Sequence, residues 1–333
     1  MKKLSIFLFG LLLLPALLFT SCDRGDDVTD NVVATPAFEL MTDFMIENNL
    51  DIDKILVNAD GEKFVVGAPA EADLPAFLDK YFIMDIRSSA DFLTAHIEGA
   101  QNVAFSDILT TAATTSKPIL VVCYTGQTAC YATALLRLYG YAHTRALKWG
   151  MSGWNEATSG PWNNNIGNIA QNSNNWTYGA APANITFEDP KISTTFTDGE
   201  LILKERVEAA VAAGFKGVNG GDVLNNPGGY FINNYFSEAD YSGFGHISNA
   251  YRIQPFTLAD GGYKSLDPNA NTVVTYCYTG QTSAVLSAVL NVLGYNAASL
   301  KFGMNGLYND NPSWKTNQWG GDSHPKSLPV LAN

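Results

Sequence analysis

The sequence predicts an α/β protein built twice, as two domains that each fold into a mostly parallel β-sheet flanked by helices. Three observations carry this. The hexapeptide CYTGQT begins at Cys123 and again at Cys277. Each copy follows an apolar, β-branched run of strand length, KPILVVC in the first and NTVVTYC in the second. Each precedes a stretch whose apolar residues recur at the helical spacing i, i+3, i+4, i+7. Strand and helix in alternation imply a layered fold with parallel strands.

From the N-terminus, MKKLSIFLFGLLLLPALLFTSC reads as an export signal rather than as part of a fold. Lys2 and Lys3 are basic, Leu4 to Phe19 is nearly all apolar, and the small residues Thr20 and Ser21 precede Cys22. Residues 1–21 are therefore expected to be a cleaved signal peptide, leaving Cys22 as a lipid-bearing N-terminus. The expected location is the bacterial cell envelope, periplasmic or surface-facing, anchored by lipid to a membrane with the body in water. No other stretch reaches the ~18 consecutive apolar residues of a spanning helix. Residues 22–35 are acidic and poor in apolar side chains, which reads as a tether. Removing the signal leaves 18 basic against 32 acidic side chains. So acidic a body excludes nucleic acid as a partner, because phosphate binding needs clustered Lys and Arg.

The remaining chain has the length of two domains, assigned to residues 36–180 and 181–333. YFIMDIR, from Tyr81, is the first strong strand candidate, followed by the turn-rich AHIEGAQNV and then KPILVVC. Ala132, Leu135, Leu136 and Tyr139 mark one face of the helix after the first hexapeptide, and Gly140 supplies its stop. LKWGMSGWN follows from Leu147. Ser159 to Asn184 is rich in Asn, Gly and Ser and reads as the connection; Trp162 and Trp176 within it predict that part of it packs over the first domain. The second domain repeats the order: GYFINNY, ADYSGFGHISNAYRI, NTVVTYC, a helix marked by Leu286, Val289, Leu290 and Leu293, the stop Gly294, and LKFGMNGLYN. Both cysteines and both Gly-Tyr pairs lie 154 residues apart, a domain-scale duplication.

Each cysteine stands where a buried strand ends and a helix begins. The first N–H groups of a helix lack intrahelical partners, and the helix dipole adds partial positive charge there. Gly126 and Gly280 permit a turn that a Cβ would obstruct, so that successive amides converge on one point. Such a cup holds an anion without any basic side chain. It is expected to lower the thiol pKa and to hold a thiolate or persulfide. The odd count left by Cys123, Cys130 and Cys277 argues against a disulfide framework. Cys130 reads as a small core residue, since Ala284 stands in its place in the second copy. His96 and His246 read as hydrogen-bonded turn residues. No His or Cys spacing suggests a metal, and no cofactor is indicated.

The Cys-led loop, the upstream MDIRSSADFLTAHIEGAQNV and the closing LKWGMSGW together resemble the rhodanese family. The resemblance runs from about Tyr81 to Trp154 and again from about Gly229 to Leu307, and rests on Asp85, Arg87, His96, Gly99, Ala100 and Asn102 besides the loop. It implies two rhodanese-like domains and a sulfurtransferase. A cysteine thiolate would take sulfane sulfur from a small donor as a persulfide and pass it to a thiol or cyanide acceptor. On that resemblance Cys123 and Cys277 are the nucleophiles. Tyr124, Thr125, Gly126, Gln127, Thr128 and Ala129, and in the second copy Tyr278, Thr279, Gly280, Gln281, Thr282 and Ser283, form the cradles. Arg87 steadies loop or substrate.

The departures matter. Tandem rhodaneses commonly keep the cysteine only in the C-terminal copy, and here both copies keep it. Asp85 and Arg87 align by eye with Asn233 and Tyr235, which favours the first site. Loops suited to thiosulfate often carry Arg or Lys after the cysteine; the uncharged YTGQT points as readily to persulfide or polysulfide donors. A non-catalytic sulfur-carrying or interaction module is the alternative reading. Phosphatase or arsenate-reductase chemistry fits less well, because Thr128 and Thr282 stand where an oxyanion-closing Arg is wanted.

Overall fold

The computed structural model describes residues 35–332; the predicted signal peptide, Cys22 and nearly all of the predicted tether lie outside them. The first sheet takes its strands in the order β1-β5-β4-β2-β3: β1 Val65–Val66, β2 Phe82–Asp85, β3 Gln101–Asn102, β4 Ile119–Val122 and β5 Arg145–Leu147. Every pairing in it is parallel. A short strand of the connection, β6 Trp176–Thr177, comes next. The second sheet has the order β7-β11-β10-β8, with β7 Gly217–Val218, β8 Phe231–Asn234, β10 Val273–Tyr276 and β11 Ala297–Leu300. It too is parallel throughout. The cysteine-bearing strands β4 and β10 lie inside their sheets with all four residues buried, as their unbroken apolar or β-branched character requires.

Six helices position the sites. They are α1 Ala37–Glu47, α2 Ser89–Thr94, α3 Gln127–Leu138, α4 Gly199–Ala213, α5 Glu238–Phe244 and α6 Gln281–Leu293. Caps fix where they start: Ser88 accepts from the Asp91 amide, Asp198 from Leu201 and Ser237 from Asp240. The sequence marks one apolar face on α3, yet in the structure every residue of it except Thr128 is buried. The cause is tertiary. One side of α3 lies on its own sheet and the other packs on α6, so the helices that follow the two loops form a shared core. Small residues on both helices, among them Ala129, Cys130, Ala132, Ala284 and Ala288, let them approach closely.

Segments cross between the halves, and residues from Thr35 onward pack as one unit. α1 packs on α4. The Asp51 carboxylate accepts from the Leu258 and Ala259 amides at 2.8 and 3.0 Å. At the other end, Leu331 exchanges backbone hydrogen bonds with His96, and Trp154 donates to the Pro329 carbonyl at 2.9 Å. Within the connection, Trp162 is buried and packs on the first half as expected. Trp176 departs from the expectation: β6 pairs antiparallel with β9, His246–Ile247, of the second half.

Sheet register corrects one alignment. Asp85 pairs with Val122, the residue before Cys123, and Asn234 pairs with Tyr276, the residue before Cys277. The counterparts of Asp85 and Arg87 are therefore Asn234 and Phe236, one position beyond the Asn233 and Tyr235 read from the letters. The caps confirm the shift, since Ser88 and Ser237 each lie three residues beyond these acidic and amide positions. The letters agree with the ladder, since Tyr-Phe-Ile recurs at 81–83 and 230–232 and Ala-Asp at 90–91 and 239–240 at one interval of 149 residues; the extra Gly245 lengthens the second turn only beyond them.

Candidate active sites

After β4 the chain turns through Cys123–Gly126 and enters α3, with Gly126 at φ 85°. The closing segment seats on the outside of this turn. A Cβ on Gly150 would lie 2.5 Å from the Cys123 carbonyl oxygen, so only glycine lets the two strands of backbone meet. The Met151 amide donates to the Cys123 carbonyl at 2.9 Å, and Ser152 donates to the Tyr124 carbonyl through its amide at 3.0 Å and its hydroxyl at 2.9 Å. Peptide units are planar and trans, so a carbonyl tied outward turns its N–H inward. The carbonyls so tied share peptide units with the Tyr124 and Thr125 amides, which fixes the entry to the anticipated cup; its donors to Cys123 Sγ are amides further along, Gly126 at 3.2 Å and Ala129 at 3.3 Å.

The resting thiol is nevertheless not activated in the expected sense. Cys123 is 2% exposed, and burial pushes its pKa above the ordinary 9.0 despite the opposing amides of Ala129, Thr125 and Gly126; the Asp85 carboxylate adds to the rise. The amides are legible in the sequence and burial is not, and here burial outweighs them. Cys130 is fully buried in the core, and burial, then the nearness of Cys123 and Cys277, pushes its thiol higher still. All three thiols are free.

The second loop repeats the frame but aims fewer donors at its sulfur. Gly280 sits at φ 74°, the Met304 amide donates to the Cys277 carbonyl at 2.9 Å, and Asn305 donates to the Tyr278 carbonyl through its amide at 3.2 Å and its side chain at 2.8 Å. Cys277 Sγ accepts from the Ser283 amide at 3.4 Å and lies 3.6 Å from the Ser283 hydroxyl. Ser283 Oγ also shares a 2.8 Å hydrogen bond with Ser299 Oγ. Cys277 is 2% exposed.

Of the other predicted cradle residues, Tyr124 and Thr128 are half-buried and form the outward side of the first loop, as Tyr278 and Thr282 do in the second. Tyr124 hydrogen-bonds the Asp91 carboxylate, and Tyr278 donates to Asp240 at 2.6 Å, so each ring is held by the acid that opens the neighbouring helix. Thr125 and Thr279 are buried. Gln127 and Gln281 turn away from their own thiols. Gln127 Oε1 accepts from the Phe302 amide at 2.7 Å, and Gln281 Nε2 donates to the Thr125 carbonyl at 3.3 Å, each crossing to the other repeat.

Arg87 stands behind Tyr124 rather than open to a substrate. Its Nε and Nη2 donate to Asp85, the latter at 2.7 Å, and Nη2 also reaches the Ala95 carbonyl at 2.6 Å. Its guanidinium carbon lies 5.8 Å from the Tyr124 ring centre. In the second site Phe236 stacks on Tyr278 with centroids 4.3 Å apart, and Asn234 is buried with both side-chain polar atoms unpartnered among the described residues. His96 and His246 are the turn residues expected, bonded to the Phe92 and Tyr241 carbonyls at 2.8 and 3.3 Å.

Sequence reasoning missed an aromatic wedge between the loops: Trp149, Trp162, Trp319 and Phe302 pack together, with Trp149 and Trp162 centroids 4.9 Å apart and Trp162 and Phe302 5.1 Å apart. Trp149 and Phe302 occupy the same place in the two repeats and share left-handed backbone, φ 67° and 63°. The aligned LKWG and LKFG were visible, but nothing local says that these rings meet.

The rhodanese-like domain family matches this chain twice, over residues 70–157 and 236–310. Among solved structures the chain is similar to a rhodanese-related protein from Thermoplasma volcanium, at 19% identity over 36% of this chain and 100% of that one, TM-score 0.25. It is similar to a thiosulfate sulfurtransferase from Pseudomonas aeruginosa at 16% identity over 80% of this chain and 48% of that one, TM-score 0.29. A 3-mercaptopyruvate sulfurtransferase from Leishmania major is 12% identical over 74% of each chain, TM-score 0.27. No curated protein matches the sequence.

Proposed function

Taking as premise that this is a tandem rhodanese-like protein, we propose that it moves sulfane sulfur through a persulfide on Cys123, with Cys277 as a second, less furnished site. The observation that carries this is the convergence of the Gly126 and Ala129 amides on Cys123 Sγ. A persulfide donor fits the uncharged loop. The Cys123 thiolate attacks the outer sulfur of R–S–S⁻, the donor S–S bond breaks, and R–S⁻ leaves with the electron pair. An acceptor thiolate or cyanide then attacks the outer sulfur of the cysteine persulfide and releases the Cys123 thiolate. The inward amides stabilise negative charge on sulfur in each half-reaction. A persulfide is more acidic than a thiol, so the cradle that fails to ionise the resting cysteine is better matched to the loaded one.

Intact-mass measurement after incubation with polysulfide or thiosulfate tests this. Gain of one sulfur on the Cys123 peptide, discharged by cyanide, is expected; absence of any adduct at Cys123 overturns the reading. Burial of both thiols favours one variant of it, a sulfur carrier, and a stable persulfide without turnover would establish that form. We also propose that the chain is exported and lipid-anchored through Cys22, on the strength of residues 1–22. Partition into detergent phase that is lost in Cys22→Ser tests the anchor.

A further inference from the structure

We propose that Gln281, in the second repeat, is a positioning residue for Cys123 in the first. The inference rests on reading Cys123 as the sulfur-bearing nucleophile, and concerns one peptide unit, Thr125–Gly126. Its N–H end donates to Cys123 Sγ at 3.2 Å. Its carbonyl end accepts from Gln281 Nε2 at 3.3 Å and from the Trp162 indole N–H at 3.1 Å. In a planar trans peptide these ends point in opposite directions. Donors that hold the carbonyl away from the thiol therefore aim the amide at it. They also polarise the unit, so that the amide is a better donor to charge on sulfur. Gln281 is 3% exposed, which keeps water from replacing it at the carbonyl.

The molecule contains its own control. In the second loop the equivalent peptide is Thr279–Gly280, with Gly280 in the same left-handed conformation. Among the described residues no side-chain donor reaches the Thr279 carbonyl, and the Gly280 amide makes no hydrogen bond to Cys277 Sγ; the Ser283 amide alone does, at 3.4 Å. Gln127, the counterpart of Gln281, is already committed: its Oε1 accepts from Phe302 at 2.7 Å and its Nε2 donates to Thr125 Oγ1 at 3.1 Å. Only the first loop's carbonyl thus receives a donor from across the repeats; Gln127 returns an acceptor to Phe302, and no donor to Thr279. Space is tight enough to fix the arrangement, since a Cβ on Gly126 would come within 3.0 Å of Gln281 Nε2.

The test is the pH dependence of alkylation by iodoacetamide at each cysteine, followed by peptide mass spectrometry on the full chain and on Gln281→Met, which keeps the length and loses the donor. The expected result is a Cys123 profile moved to higher pH, with a rate at fixed pH about three- to tenfold lower, the size expected for weakening one hydrogen bond to a charged group. Cys277, only four residues from the substitution, is expected to change less than Cys123. Trp162→Phe, which keeps most of the ring and loses the other donor, is expected to move Cys123 in the same direction, and it carries the test if Gln281→Met does not fold. An unmoved Cys123 profile in a folded variant, or a larger change at Cys277, overturns the proposal. Alkylation needs no sulfur donor or acceptor, so this result stands apart from whether the protein turns over sulfur.

Discussion

Cys123 and Cys277 end equivalent strands and open equivalent helices, yet the ground behind them differs. Behind Tyr124 lies a buried ion pair, Asp85 with Arg87, whose side chains are 0% and 3% exposed. Behind Tyr278 lie Phe236, stacked on the ring, and Phe244 and Trp314 beyond it. The same backbone frame accepts either arrangement, so the pair is not what makes the loop fold. A buried pair is weak evidence for stability in any case, because desolvating two charges offsets most of their attraction. What the pair supplies is position, tying the loop tyrosine to the turn at Ala95. The second site has an aromatic wall and one sulfur-facing amide where the first has two.

The sharpest way to break this comparison is to remove each thiol. Cys123→Ser is expected to lower sulfur transfer by at least about a hundredfold, as loss of a nucleophile does. Cys277→Ser is expected to leave most of the turnover. Steady-state rates with polysulfide and an acceptor thiol decide it, and equal losses would erase the distinction between the sites. Next in size is Arg87→Phe, which gives the first site the second's side chain but strands the Asp85 carboxylate in the core. Breaking one partner of a buried pair costs about 3–5 kcal/mol. The double variant Asp85→Asn, Arg87→Phe is expected to recover more than half of that in urea unfolding, because the second repeat already folds with that pair of residues.

The first thiol's raised pKa gives a signed expectation for pH. With burial holding Cys123 protonated above the ordinary 9.0, its thiolate fraction, and with it the alkylation rate, climbs about tenfold per pH unit below the pKa and keeps rising through pH 9. A plateau near neutral pH would mean that the amides win over burial after all.

The loops were legible because their chemistry is local: a cysteine at a strand end, a glycine at left-handed φ and a helix behind them lie within a few letters. Strand positions followed from apolar runs of strand length and helix positions from period, and the structure bears them out at β2, β4, β8 and β10 and at α3 and α6. The register of Asn234 was legible too, because Tyr-Phe-Ile at 81–83 and 230–232 and Ala-Asp at 90–91 and 239–240 share one interval of 149 residues, which the Asn233 alignment overlooked. The interlock was not: Gln281 meets Thr125 across 156 residues, and Trp319 meets Asn163 across the same separation. A Gln one place after a turn glycine looks the same whether it faces its own thiol or a neighbouring repeat. The pKa direction failed for a related reason, since burial depends on how α3 and α6 pack and not on the loop letters.

The smallest expected effect probes the hydroxyl that the second site has in place of a methyl. Ser283 stands where the first loop has Ala129, and its Oγ bridges Cys277 Sγ at 3.6 Å and Ser299 Oγ at 2.8 Å. Ser283→Ala would make the second loop match the first at this position while keeping the amide on the sulfur. Ser299 retains the Gly280 carbonyl as acceptor at 3.3 Å, so it is not left unpaired. The cost to stability is then that of one neutral hydrogen bond, about 1 kcal/mol in urea unfolding. The hydroxyl can turn its proton toward a charged sulfur, so its loss is expected to slow Cys277 alkylation about threefold and to leave Cys123 alone. A faster Cys277 in the variant would mean that Ser283 restrains the thiol by accepting its proton, and that the second site is held quiet by this bond rather than merely less furnished.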